Sequence, residues 1–236
     1  MDRYVFNPFT VLMILLLIGV FLLVLPLLLL SIIGTAFLKL GFSWREILLI
    51  LLLTLVGSFI NIPLTTIQGE PRMVKESGWP YGFFYRIREV TPTTTVAINV
   101  GGAILPIGIS LYLLYNAVTM LGNPAIAFLS GVGILIVAVI VKLVARPVQG
   151  LGIVTPFFVP PFAALLCGLI LSVWAGGETI AAAIIAYTSG TMGTLIGADL
   201  LNLYRIKDLS SPMVSIGGAG TFDGVFLSGV IAAFLA

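Results

Sequence analysis

Two aspartates, Asp199 and Asp223, each stand inside a stretch of chain otherwise apolar enough to cross a bilayer. One lies in Gly193-Thr-Leu-Ile-Gly-Ala-Asp199-Leu-Leu-Asn202, the other in Gly217-Gly-Ala-Gly-Thr-Phe-Asp223-Gly224. An ionisable group at bilayer depth costs about 3 kcal/mol even on lenient insertion scales, so it marks a pathway or a reactive site. Two carboxylates close together resist ionising at once, so one keeps its proton and the pair shares it. One can then activate water as general base while the other protonates a carbonyl or a leaving amine. That is aspartic-protease chemistry, which needs no histidine, metal or cofactor. The same pair can instead bind a proton, Na⁺ or another small cation on a transport path. A third use is structural, with each aspartate capping a helix end or pairing with Arg146, Arg205 or Lys207 in a non-catalytic scaffold.

The composition narrows the elements that must carry these acids. The chain has 236 residues, 60% of them hydrophobic and only 8% charged, with mean hydropathy +1.22. A soluble domain carries about 25% charged residues. An all-α integral membrane protein fits, with residues 1–236 forming one polytopic domain at roughly 20 residues per span. The apolar runs are continuous rather than alternating, which excludes a transmembrane β-barrel. A net charge of +2 gives no reason to expect nucleic acid as a partner. With no histidine in the chain, Ser-His and Cys-His pairs, HExxH zinc sites and histidine-bound haem are all removed. No cofactor and no metal site are expected. The single cysteine, Cys167, lies in an apolar run and reads as a small packing residue.

Seven segments are long and apolar enough to span. They run about Thr10–Leu38, Glu46–Leu64, Thr95–Asn116, Pro124–Val144, Thr155–Trp174, Ile180–Leu203 and Ile216–Ala236. The first is overlong and carries Pro26, which predicts tilt or a kink, and its low polarity suits a lipid-facing helix. Seven spans put Arg3, Arg72, Lys75, Arg86, Arg88, Lys142, Arg146, Arg205 and Lys207 on one side, against Lys39 and Arg45 on the other. That bias predicts a cytoplasmic N-terminus and an external C-terminus. The loop at about 65–94 is then cytoplasmic. Alternating residues on both sides of Ser77-Gly78 and Pro80-Tyr81-Gly82 predict a β-hairpin there. Its aromatics and its arginines Arg86 and Arg88 suit an interfacial anchor or a lid.

In this topology the polar residues within the spans gather toward the cytoplasmic side. Asn61 precedes Pro63 near the end of the second span, Asn99 precedes Gly101-Gly102 at the start of the third, and Arg146-Pro147 closes the fourth. Asp199 lies about 9 Å and Asp223 about 10 Å inside the boundary at 1.5 Å per residue. A facing pair is geometrically available. Asn202, Gly220 and Gly224 complete the candidate binding set. Ser189, Gly193 and Gly197 recur every fourth position, as do Gly220 and Gly224, which permits close helix contact in lipid. If Gly217–Gly220 is not helical, the last helix covers only about 24 Å of a roughly 30 Å core. Broken helices beside carboxylates serve transporters and intramembrane enzymes alike.

The run Ser215-Ile-Gly-Gly-Ala-Gly-Thr-Phe-Asp223-Gly-Val-Phe-Leu-Ser-Gly229 resembles an uncharacterised bacterial and archaeal integral membrane family. Asn61-Ile-Pro63, Asn99-Val-Gly-Gly102 and Gly197-Ala-Asp199 fit the same family, and the resemblance implies a prokaryotic plasma membrane. The run is also similar to the Gly-x-Gly-Asp signature of the presenilin, signal peptide peptidase and prepilin peptidase proteases. That similarity implies Asp199 and Asp223 as the catalytic pair and a transmembrane peptide as substrate. Here Asp223 follows Gly220 by three residues where that signature has one, and Ala198 stands where presenilins carry tyrosine.

Overall fold

The first apolar run folds as one helix, α1 (Pro8–Lys39), continuous through Pro26. The protein is seen in a computed structural model that describes residues 8–69, 71–77, 85–91, 93–148, 152–208, 212–218 and 224–236. Because α1 is apolar on every side, no stripe selects a packing face. From Leu12 to Leu30 it stands exposed, and only its last turns enter the core, through Ile33, Ala36, Phe37 and Leu40. Phe37 meets Phe42, Tyr187 and Phe226 at ring-centroid distances of 5.5, 5.8 and 6.2 Å. Next to it, Lys39 Nζ donates to the Phe234 carbonyl at 2.7 Å. That places a cation at the C-terminal end of the last helix, where the helix dipole is negative.

Helix α2 (Trp44–Gly57) starts at Ser43. There Glu46 Oε2 accepts both the Ser43 backbone N–H at 2.7 Å and the Ser43 hydroxyl at 2.8 Å. Helices α3 (Leu105–Thr119), α4 (Pro124–Val144), α5 (Val159–Ser172), α6 (Thr179–Thr194) and α7 (Gly224–Leu235) follow. Helix α6 is the axis of the bundle, buried on all sides from Ala181 to Thr191. Its small residues let neighbours approach. Ser189, Gly193 and Gly197 face Gly133, Val137 and the Ala138–Val141 turn of α4, so the four-residue spacing forms a parallel α4–α6 seam. A Cβ on Gly190 would lie 2.8 Å from Gly229 Cα, so α7 crosses α6 at a glycine pair. At Gly224 a Cβ would meet nothing within 4 Å. The close contact expected there is made at Gly229 instead.

Four of these helical stretches, Phe9–Lys39, Val100–Thr119, Pro124–Val144 and Thr179–Arg205, are long and apolar enough to cross a membrane, and Val159–Ala175 and Gly224–Leu235 are shorter apolar helices. The protein is mostly helical with several membrane-compatible helices. It is not all-α. Strands β1 (Asn61–Gln68), β4 (Thr93–Asn99) and β7 (Met213–Ile216) form a sheet in the order β1-β4-β7, while β2 (Arg72–Ser77) pairs with β3 (Tyr85–Val90) and β5 (Arg146–Val148) with β6 (Gly152–Val154). The β2–β3 pair is antiparallel and flanks the expected turn, whose residues 78–84 lie outside the described ones.

Three expected spans are therefore shorter as helices than the apolar runs implied. Helix α2 stops at Gly57. Pro63 lacks an amide donor and Ile62 before it is driven to extended backbone, so the chain continues as β1. The third begins as a strand of threonine, valine and isoleucine before turning helical. The last is strand up to Ile216, and its described helix, Gly224–Leu235, has 12 residues, about 18 Å.

Candidate functional site

Where these strands give way to helices, Asn99 ties three segments together. It is wholly buried and caps a π-helical turn, Val100–Ile104, that leads into α3. Its Oδ1 accepts the Gly102 N–H at 2.7 Å. Its Nδ2 donates to the Ser58 carbonyl at 2.7 Å and to Asn61 Oδ1 at 3.0 Å. Asn61 Oδ1 also accepts the Ser215 hydroxyl at 2.6 Å. The end of α2, the start of α3 and the strand before α7 are thus joined through two carboxamides and one hydroxyl. Asn99 spends both amide hydrogens and its oxygen inside the fold, so it holds backbone in place.

Glycines make this junction possible. A Cβ on Gly101 would strike the Thr54 carbonyl oxygen and come within 2.5 Å of Ser58 N, and one on Gly102 would run into the Gly217 carbonyl oxygen. Gly217 itself has φ +83°, a left-handed conformation that costs glycine nothing. From it the backbone N–H reaches Asp199 Oδ2 at 2.7 Å. Asp199, half-buried, closes a second π-helical turn, Leu195–Asp199, at the end of α6. A 3-10 stretch, Leu200–Asp208, follows. Within it, Asn202 Nδ2 donates to the carbonyls of Gly197 and Ala198 at 2.9 and 3.1 Å. This satisfies two carbonyls that the interrupted helix leaves over.

Of the expected residues, Asn61, Asn99 and Asp199 join one connected junction, and Asn202 sits on the turn that bears Asp199. Arg146 lies apart. It is exposed on β5, opposite Val154, and forms no ion pair among the described residues. Asp223 and Gly220 fall outside the described residues, so the carboxylate pairing lies there too. Among the described residues no group of three or more His, Cys, Asp or Glu side chains could hold a metal ion.

Sequence reasoning overlooked Ser58, Ser215 and Gly217 as partners. A signal existed. Asn99-Val-Gly-Gly102 and Ser215-Ile-Gly-Gly218 share a pattern of polar residue, β-branched residue and glycine pair. In the fold, β4 and β7 run parallel, with Ile98 beside Ile216, and each leads through its glycines toward a helix.

The profile of a family described as "Protein of unknown function (DUF1614)" matches residues 55–235, most of the chain. The chain belongs to the DUF1614 family. Neither a curated protein nor a solved structure matches it. The DUF1614 segment holds every residue of the junction, whereas α1 precedes it. The family brings no activity with it, and the similarity to the intramembrane aspartyl proteases gains no support from it.

Proposed function

We propose that this DUF1614 protein moves protons or small cations across the membrane, with Asp199 as its ionisable site. Four helices give up regular backbone at one end: α2 runs into β1, α3 starts from β4 through a π turn, α6 ends in one, and α7 follows β7. Non-helical backbone at membrane depth is tolerated where it is buried in protein or lines a polar cavity, and carriers place ion sites at such breaks. The observation that carries this reading is the Gly217 N–H on Asp199 Oδ2. It links the break in α6 to the break before α7, so a proton or cation arriving at Asp199 changes the strength of that joint. Asn61, Asn202, Gly220 and Gly224 remain candidate contributors to the path, whereas Asn99 is committed to the backbone and Arg146 lies apart. The charge bias supports a cytoplasmic N-terminus and β2–β3 loop, and with seven crossings an external C-terminus.

The test is flux in proteoliposomes driven by a pH or cation gradient. Asp199→Asn should lower it at least about tenfold, in keeping with loss of more than 1.4 kcal/mol of differential stabilisation. Flux that survives Asp199→Asn combined with Asp223→Asn rejects the reading. Introduced cysteines at Ser77 and at Ala236, in a Cys167→Ser background, should be labelled from opposite sides. Labelling of both from one side rejects the topology.

One observation favours a hydrolytic alternative. The glycine run that Asp199 holds at Gly217 leads to Asp223 six residues later. Asp199 and Asp223 would then serve as the acid–base pair. Purified protein should then cleave a transmembrane peptide, and Asp223→Asn should abolish cleavage without unfolding. Absence of cleavage over a broad peptide panel rejects this alternative.

A further inference from the structure

Helices α4, α5 and α7 leave a groove of about 490 Å³ between them. Ile140 of α4, Phe158, Phe162 and Leu166 along α5, and Ile231 and Leu235 of α7 line it, and every lining side chain is apolar. Phe158, Phe162 and Leu166 recur every fourth residue, so they share one face of the helix, and all three are exposed. From Phe158 to Leu166 the groove runs about 12 Å at 1.5 Å per residue, close to the roughly 15 Å depth of one leaflet. The β5–β6 hairpin joins α4 to α5, so Ile140 near the end of α4 and Phe158 at the start of α5 mark the hairpin end of the groove. On that hairpin stands Arg146, exposed and outside any ion pair among the described residues. Lys142, exposed on the last turn of α4, and Arg205, on the 3-10 stretch that packs against β5, lie at the same end.

We propose that the groove holds one acyl chain of an anionic glycerophospholipid, with its headgroup at the β5–β6 hairpin against Arg146. A polar ligand would find no hydrogen-bond partner on this lining. A hydrocarbon tail matches the lining, but it gains little by leaving other tails, because lipid is as apolar as the groove. The groove therefore decides where the chain lies, and the headgroup decides which lipid is held. Cations at a membrane surface favour anionic lipids by about fivefold for each Arg or Lys. A guanidinium also pairs a phosphate through two parallel N–H bonds. A zwitterionic headgroup carries its own cation and loses the net attraction. Neither Asp199 nor the glycine junction takes part, so the inference stands apart from the transport reading.

Native mass spectrometry of the full-length protein in detergent tests it, with phosphatidylglycerol and phosphatidylcholine of identical acyl chains as the two probes. The first phosphatidylglycerol should bind at least about fivefold more tightly than the first phosphatidylcholine. Arg146→Gln should cut that preference about fivefold and leave the thermal midpoint of the lipid-free protein unchanged. Leu166→Trp on α5 and Leu235→Trp on α7 each fill the groove from an exposed position. Both should abolish tight binding of the first lipid while the melt stays cooperative. Equal affinity for the two lipids overturns the inference, as does a preference that Arg146→Gln leaves intact. Tight binding that survives both fillings puts the lipid elsewhere and also overturns it. A dimer that both fillings dissolve, with no lipid held, gives the groove to a second copy of the chain and does the same.

Discussion

Asn99 and Asn61 share a hydrogen bond but do different work. Replacing Asn99 with alanine strands the Ser58 carbonyl and the Gly102 N–H. Each stranded buried group costs about 1–3 kcal/mol, so Asn99→Ala should destabilise by roughly 3 kcal/mol. Asn61 is only half-buried, and Asn61→Ala should cost about 1 kcal/mol on the same scale. Denaturation of the purified protein in mixed micelles measures both, and equal losses would refute the assignment of Asn99 as the residue that fastens the junction. Glycines offer a sharper contrast. Gly102→Ala drives a methyl into the Gly217 carbonyl oxygen, whereas Gly108 on the adjoining helix faces open space. The first should cost more than about 3 kcal/mol. The second should stabilise by about 0.5–1 kcal/mol, since alanine restricts the unfolded chain. Thermal midpoints of the two variants decide the matter.

Among elements, the α4–α6 seam is the contact whose chemistry can be taken apart most cleanly. Lipid is as apolar as the side chains, so helices associate through close packing rather than through a hydrophobic drive. Gly133 makes room for the Ser189 side chain, and a Cβ there would collide with Ser189 Oγ. That hydroxyl is buried and has no partner of its own. Ser189→Ala should therefore be neutral or slightly stabilising, while Gly133→Ala should cost about 1–3 kcal/mol through overpacking. Their combination should recover most of that loss, a coupling of about 1 kcal/mol or more in a double-mutant cycle. Strict additivity would mean that the two helices adjust in some other way. The π turns before α3 and after α6 belong to this scale too. Asn99, the last residue of β4, caps the first, Asp199 closes the second, and both side chains accept a glycine N–H at the junction.

Across the whole molecule, α1 is joined to the bundle only at its C-terminal end. Removing residues 1–30 should leave the thermal midpoint in detergent within about 3 °C, because the helix stands exposed from Leu12 to Leu30. Removing residues 1–43 also takes away Phe37 and the Lys39 contact with Phe234. Loss of a buried phenylalanine alone costs about 3–5 kcal/mol. A large drop already in the shorter truncation would show that the exposed part of α1 is held by something beyond its own bundle.

What the sequence determined by itself was the solvent and most helices. Long uncharged apolar runs admit a bilayer and little else, and Pro124–Val144 emerges with the same bounds in both readings. The spacing of Ser189, Gly193 and Gly197 announced a close helix contact, since only small residues permit one. The hairpin, too, was legible from alternation. Only the tertiary structure decided that β4 and β7 run side by side, that Asn99 serves the backbone, and that Asp199 grips Gly217. Hydropathy sums over a window and cannot register which backbone groups a single buried carboxamide will claim. It therefore read the first half of β1 and most of β4 as parts of the helices they adjoin. Those partners lie 41 residues from Asn99 at Ser58 and 18 from Asp199 at Gly217, and folding alone brings them within reach.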